Sequence, residues 1–169
     1  MAFVEIEQKY RLKDPVKIRL RLAGMAAKKI ASGVESNEFY DRNDFLNKQK
    51  VALRLRRFGR QSALLTLKGP RIKNNFSKRV EIETPIEYKT AKAFLDFLGC
   101  RLLRKYSKRR ELYGLKGAHV TVDFLNKFGW FLEIEAAPQT IRKIEKQLGL
   151  KRADREDRSY LQMIFGWKH

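Results

Sequence analysis

One pattern constrains this chain more than any other: a tetrad that recurs as Val4-Glu5-Ile6-Glu7, Val80-Glu81-Ile82-Glu83 and Leu132-Glu133-Ile134-Glu135. On a β-strand, residues i and i+2 share a face, so each tetrad sets two carboxylates on one side of a sheet and two aliphatics on the other. The same alternation runs through 3–11, 51–58, 63–68, 79–84, 107–113, 118–124 and 131–136, which are predicted as strands. Cations obey it too, at Arg54 and Arg56 and again at Lys108 and Arg110. Lys9 continues the face of Glu5 and Glu7, and Lys68 ends its strand before Gly69-Pro70.

Helical spacing is confined to a few stretches. Asp14-Pro15 reads as a cap followed by a first-turn proline, opening a helix that passes Leu22 toward Ala26, with Gly24 as an early stop. A second helix over 87–98 places Ala91, Phe94, Leu95 and Leu98 on one face. Pro138 opens a third with Ile141, Ile144 and Leu148 inward and Gly149 as its end, and 157–165 is predicted as a fourth. Many strands with separate short helices make an α+β chain with a mainly antiparallel sheet. At 169 residues without a linker or a break in composition, it is expected to form one domain, 1–169.

For any single strand, a solvated outer face with ion pairs worth roughly 0.2 to 1 kcal/mol is the simpler account. Recurrence over six or seven strands changes the balance, because the helices need the aliphatic side and send the charged side the other way. An antiparallel sheet of this size loses its edges by closing, and closure here gives a β-barrel with a polar, charged lumen and helices packed outside.

Charge narrows the function. Thirty-eight Lys and Arg against 19 Asp and Glu give a formal charge of +19, which calls for an anionic partner: nucleic acid, an anionic membrane or a highly phosphorylated small ligand. No apolar run approaches the roughly 20 residues of a membrane span, and the amino terminus has acid where an export signal has a basic start. Cys100 is the single cysteine, which suits a reducing, cytoplasmic setting and is most simply a small buried hydrophobe. His119 and His169 stand alone, so zinc is not expected. The basic run Arg101 to Arg110 sends Arg109 outward while Lys108 and Arg110 point inward, so it can serve a nucleic-acid surface and a lumen together. Phe128, Trp130, Phe131 and Trp167 read as core or helix-packing residues.

Glu5-Ile6-Glu7-Gln8-Lys9 resembles the Glu-x-Glu-x-Lys signature that opens CYTH domains, the triphosphate tunnel metalloenzymes. Further blocks follow in family order: Phe39-Tyr40-Asp41, Ala52-Leu53-Arg54-Leu55-Arg56, Leu65-Thr66-Leu67-Lys68-Gly69-Pro70, Arg79-Val80-Glu81-Ile82-Glu83, Lys108-Arg109-Arg110-Glu111-Leu112-Tyr113, Val122-Asp123, Phe131-Leu132-Glu133-Ile134-Glu135 and Ser159-Tyr160-Leu161. The resemblance implies an eight-stranded antiparallel tunnel that binds triphosphate with Mg²⁺ or Mn²⁺. It assigns triphosphate binding to Lys9, Arg54, Arg56, Lys68, Lys108 and Arg110, and metal binding to Glu5, Glu7, Asp123, Glu133 and Glu135. It implies catalytic roles for Lys9 and Lys68, and for Tyr40 provided that side chain points inward. Thiamine triphosphatase-like members carry two tyrosines before the Asp of the second strand, whereas Phe39 occupies the first of these positions here. Class IV cyclase-like members continue past Asp123 with an acidic, Gly-rich stretch, which is Phe124-Leu125-Asn126-Lys127-Phe128-Gly129 in this chain. Hydrolysis of tripolyphosphate, thiamine triphosphate or another triphosphate is therefore expected ahead of cyclisation of ATP. A basic module for RNA or another polyanion is the alternative of a different class, and the resemblance leaves room for a homodimer. Glu81 and Glu83 read as lumen-facing, with a structural pairing role at least as well supported.

Overall fold

The computed structural model describes residues 2–59, 63–72 and 76–166; Trp167 and His169 lie outside them. Eight strands are arranged in the chain order β1 (Ala2–Leu12), β2 (Lys28–Asp41), β3 (Ala52–Phe58), β4 (Ala63–Lys68), β5 (Ser77–Ile86), β6 (Arg101–Leu115), β7 (Ala118–Leu125) and β8 (Gly129–Glu135). They close into a barrel in the order β1-β5-β4-β3-β2-β6-β7-β8, every neighbouring pair antiparallel.

The helices sit where their caps start and stop them. Helix α1 (Pro15–Gly24) opens with Asp14 accepting a hydrogen bond from the Lys17 amide at 2.9 Å. Helix α3 (Tyr88–Phe97) is capped by Glu87, and α4 (Pro138–Leu148) starts on its proline and ends at Gly149 with φ +60°. Helix α5 (Tyr160–Phe165) has a capping box between Ser159 and Gln162. The four-residue α2 (Phe45–Lys48) is held by Asp41, whose carboxylate accepts from the amides of Leu46 and Asn47.

Packing outside the barrel decides what faces inside. Ile18 and Leu22 of α1, with Ile141, Ile144 and Leu148 of α4, bury the outward Val120, Val122, Leu132 and Ile134. Each such aliphatic contributes roughly 1.5 to 3 kcal/mol relative to exposure, so this layer holds the charged face of the same strands inward. Ala91 and Leu95 of α3 cover Tyr40, Leu55 and Ala63 in a second cluster. In a third, Tyr160 and Met163 of α5 pack on Leu125 and Phe131, which share the inward parity of Asp123 and Glu133. Helix α5 therefore closes one end of the barrel.

Three elements differ from expectation. Strand β2 has no clean alternation because its C-terminal half is buried on both faces, and its pairing along the whole of β6 supplies what local pattern does not. That pairing also starts β6 at Arg101, six residues ahead of the predicted strand. On α3 only Ala91 and Leu95 are buried, while Phe94 and Leu98 are 60% and 55% exposed, because a convex barrel wall meets a helix along a narrow line. Among the described residues no helix is long and apolar enough to cross a membrane.

Candidate functional site

Strand parity delivers the charges to one cavity of about 680 Å³. Strand β1 contributes Glu5, Glu7 and Lys9; β3, Arg54 and Arg56; β4, Lys68; β5, Arg79, Glu81 and Glu83; β6, Lys108 and Arg110; and β8, Glu133 and Glu135. Glu35 of β2 joins them. Asp123 of β7 lies behind this lining, fully buried against Lys108 and Arg110. Seven strand cations thus meet eight carboxylates.

Toward the α5 end the charges satisfy one another. Asp123 accepts from Arg110 Nε and Nη2 at 2.7 Å each, from Lys108 Nζ at 2.9 Å and from the Tyr160 hydroxyl at 2.8 Å. Arg110 also donates to Glu133 at 2.6 Å and to Glu35 at 3.1 Å. Lys9 donates to the Arg158 carbonyl at 2.9 Å, lies 3.4 Å from Glu133 and sits over the Tyr160 ring. Burial alone would raise the carboxyls of Glu35 and Glu133, but Arg110 and Lys108 beside Glu35, and Lys108 and Lys9 beside Glu133, hold both below the usual range. Burial, then the charges of Asp123 and Glu133, raise the Tyr160 hydroxyl well above its ordinary value, so it stays a proton donor.

The middle of the lumen is different. Glu7 and Glu135 are direct cross-strand partners, an arrangement that sets their Cβ atoms about 5 Å apart and is destabilising for like charges without a counter-ion. Among the described residues neither has an ion pair within 4.0 Å. Burial, together with Glu5 and Glu7, raises the Glu135 carboxyl; burial, together with Glu81, raises that of Glu5 although Lys68 opposes it. Lys68 pairs with both Glu5 and Glu81. Arg54 comes no nearer a carboxylate than 3.8 Å from Glu83, and its buried Nε, like that of Arg79, has no hydrogen-bond partner among the described residues. Crowded carboxylates beside unsatisfied guanidinium donors can take a hard cation and an anion together. No three acidic or histidine side chains among the described residues converge as they stand into a metal cage. Mg²⁺ keeps several waters and needs only one or two carboxylates, so the donor set still fits such an ion.

Of the predicted residues, Tyr40 alone points away from the lumen, while Asp123 points inward but lies behind the lining. Phe39 takes the inward position, stacked on Tyr106, and the next residue must face out. The Tyr40 hydroxyl donates to Glu38 at 2.7 Å in the cluster under α3, where burial and Glu38 raise its ionisation range. Five residues not assigned from the sequence belong to the site: Glu35, Arg79, Tyr106, Tyr160 and His119, the last across from Glu135. Tyr160 belongs to the Ser159-Tyr160-Leu161 stretch that matches the family pattern, but nothing local shows that α5 folds back over the barrel end. The opposite mouth is ringed by the apolar Phe3, Ile30, Phe58, Leu64 and Leu112.

Comparison with known proteins agrees with this architecture. A protein of Methanocaldococcus jannaschii that bears an adenylate cyclase name is 28% identical over 147 residues, 86% of this chain and 83% of its own. A Vibrio parahaemolyticus structure, also named for adenylate cyclase, superposes with a TM-score of 0.82 at 26% identity, covering 94% of this chain and 96% of the other. A Hippeastrum protein with an adenylyl cyclase name, described as having a dominant triphosphatase activity, shares the fold with a TM-score of 0.73 at 19% identity, covering 98% and 97%. The CYTH domain model matches residues 4–160, and with the tunnel and its paired charges in place the chain belongs to the CYTH domain family.

Proposed function

We propose that this protein is a divalent-metal-dependent enzyme that binds a triphosphate in its lumen and hydrolyses it. One observation carries the reading: a closed barrel whose interior sets seven cations against eight carboxylates, with the buried Nε donors of Arg54 and Arg79 unsatisfied, among the described residues, in the cavity that holds the Glu7 and Glu135 pair. A triphosphate group brings about four negative charges, so the nearly neutral lumen favours it only when positive charge enters as well. That balance supports a requirement for Mg²⁺ or Mn²⁺, with Glu7, Glu135 and Glu5 as the ligand set the geometry favours and Glu133 at its edge. When bound, such an ion neutralises charge on the transferring phosphoryl group and lowers the pKa of a coordinated water.

The residues divide the remaining work. Arg54 and Arg79 face the cavity with fewest competing bonds and, with Arg56 and Lys68, would clamp the phosphate chain, with Lys9 at its deep end. Lys108 and Arg110 border the cavity, yet their donors are largely engaged by Asp123, Glu35 and Glu133, so they would set the field and orient carboxylates more than they bind phosphate. Asp123 is the buried anchor of that group. Helix α5 shuts one end, which keeps bulk water from the deep phosphate.

A second reading, cyclisation of ATP to cyclic AMP and pyrophosphate, is favoured by the apolar ring at the open mouth, which suits a base or another organic leaving group. Phosphate release from tripolyphosphate, thiamine triphosphate and ATP, with Mg²⁺, Mn²⁺ or EDTA and with ATP products resolved for cyclic AMP, tests both. Release that needs metal is expected, and Glu7→Gln should lower it more than tenfold. Activity untouched by EDTA, or none on any triphosphate, overturns the proposal.

A further inference from the structure

The lumen does not account for the charge of this chain. Its strand side chains nearly cancel, so the formal excess of +19 belongs to the rest of the molecule. One stretch of outer wall displays that excess with no helix over it. Helix α3 covers the cluster around Tyr40 and Leu55, and α1 with α4 covers the faces around Val122 and Leu132. Between them the outer faces of β3, β2 and β6 are bare, and Arg57, Val34, Lys105, Ser107 and Arg109 are exposed.

Register arranges these side chains in rows. Arg57 lies across from Ser36, and Ser36 from Ser107. In the neighbouring row Val34, Arg109, Phe124 and Trp130 are successive cross-strand partners. From β3 to β8 the strip crosses four strand spacings, roughly 19 Å. Three guanidinium groups lie on aromatic rings along it: Arg57 over Tyr88 at 4.5 Å, Arg109 over Phe124 at 4.5 Å and Arg19 over Trp130 at 4.8 Å. A guanidinium held on a ring keeps its outer plane available, and such planes are surfaces on which unpaired bases stack. The serines keep the floor between them shallow. The neighbouring carboxylates are already engaged, Glu38 by Tyr40, Tyr88 and Lys105, and Glu111 by Arg19, Lys29 and Tyr113.

We propose that this outer strip binds single-stranded nucleic acid, with Arg57 and Arg109 as stacking cations and Lys105 on the phosphates. Flat, ring-backed cations recognise bases, and Val34 is the sole aliphatic among the strip's exposed residues, which leaves little to insert into a lipid surface. The site is separate from the lumen and does not depend on the triphosphatase reading.

Fluorescence anisotropy with a labelled 15-nucleotide RNA carrying a 5′-hydroxyl tests it, since that probe offers the tunnel no triphosphate. The variant Arg57→Ala/Lys105→Ala/Arg109→Ala should bind at least tenfold more weakly. Its slope of log affinity against log salt should be shallower by about 0.7, since of the three only Lys105 is placed on a phosphate of the single strand. Its circular dichroism spectrum and its cooperative unfolding without ligand should match the wild type, which shows that the fold is intact. Single-stranded DNA of the same length should bind comparably. The proposal is overturned if the variant binds RNA like the wild type, if polyphosphate of equal charge competes as well as RNA does, or if phosphatidylserine vesicles bind the strip more tightly than RNA.

Discussion

Replacing Asp123 by Asn separates an anchor from a metal ligand. The side chain has no solvent exposure and accepts bonds of 2.7 Å twice from Arg110, 2.9 Å from Lys108 and 2.8 Å from Tyr160. Asn preserves the shape but removes the charge and turns one acceptor into a donor facing donors. Breaking a buried ion pair from one side costs about 3 to 5 kcal/mol. Glu133 and Glu35 remain on Arg110 at 2.6 and 3.1 Å, so the lower end, about 3 kcal/mol, is expected. For a chain of this length about 1 kcal/mol moves Tm by roughly 2 to 4 °C, which gives a fall of about 6 to 12 °C. Scanning calorimetry without ligand reads it. Glu7→Gln is the control: it breaks no ion pair and relieves the repulsion with Glu135, so its Tm should be unchanged or higher. If Asp123→Asn melts within about 2 °C of the wild type, the anchoring role is wrong and a place among the metal ligands becomes the better account.

Arg54→Ala should leave the empty protein nearly as stable, because its nearest carboxylate is 3.8 Å away, yet weaken tripolyphosphate at least tenfold, since a charge-assisted hydrogen bond is worth about 1.5 to 3 kcal/mol. Thermal shifts in Ca²⁺ measure this, and equal stabilisation of variant and wild type would remove Arg54 from the clamp. Hydrogen bonds from Arg158, opposed by burial and aided by Arg11, lower the Glu156 carboxyl to about 2. Its folded value lies below the unfolded one, so its contribution is present above about pH 4.3 and is lost as pH falls toward 2. Wild-type Tm should therefore drop more steeply across that window than Tm of Glu156→Gln, and parallel curves would refute the assignment. Gly149→Ala puts a Cβ at φ +60° against the Arg21 guanidinium, so a loss of about 1 to 2 kcal/mol is expected in chemical denaturation; an unchanged midpoint would show that the α4 end relaxes freely.

Much of the site was legible because strand parity is local. Glu5, Glu7 and Lys9 had to share a face, as did Arg54 with Arg56 and Lys108 with Arg110, and the structure puts each set in the cavity. Glu35 was invisible for the opposite reason: β2 is buried on both faces near its C-terminal end, so no alternation marks which polar residue points in. Tyr40 shows how one residue reverses a role, since Phe39 occupies the inward position and sends the hydroxyl to Glu38. The outward Arg109 was likewise readable from alternation, whereas its place over Phe124 required β7 beside it.

From its sequence alone this chain was bound to make amphipathic strands with one charged face, because side-chain direction along a strand follows from backbone geometry with period two. Helix starts and stops at Asp14-Pro15, Pro138 and Gly149 were settled in the same way, by groups within one turn of each other. Which charges saturate one another was decided only by closure. Bringing β1 between β5 and β8 puts Glu7 against Glu135, and seating α5 over the end sets Tyr160 on Asp123. Those contacts join residues more than 30 positions apart through packing and excluded water, forces that leave no periodic trace in the local sequence.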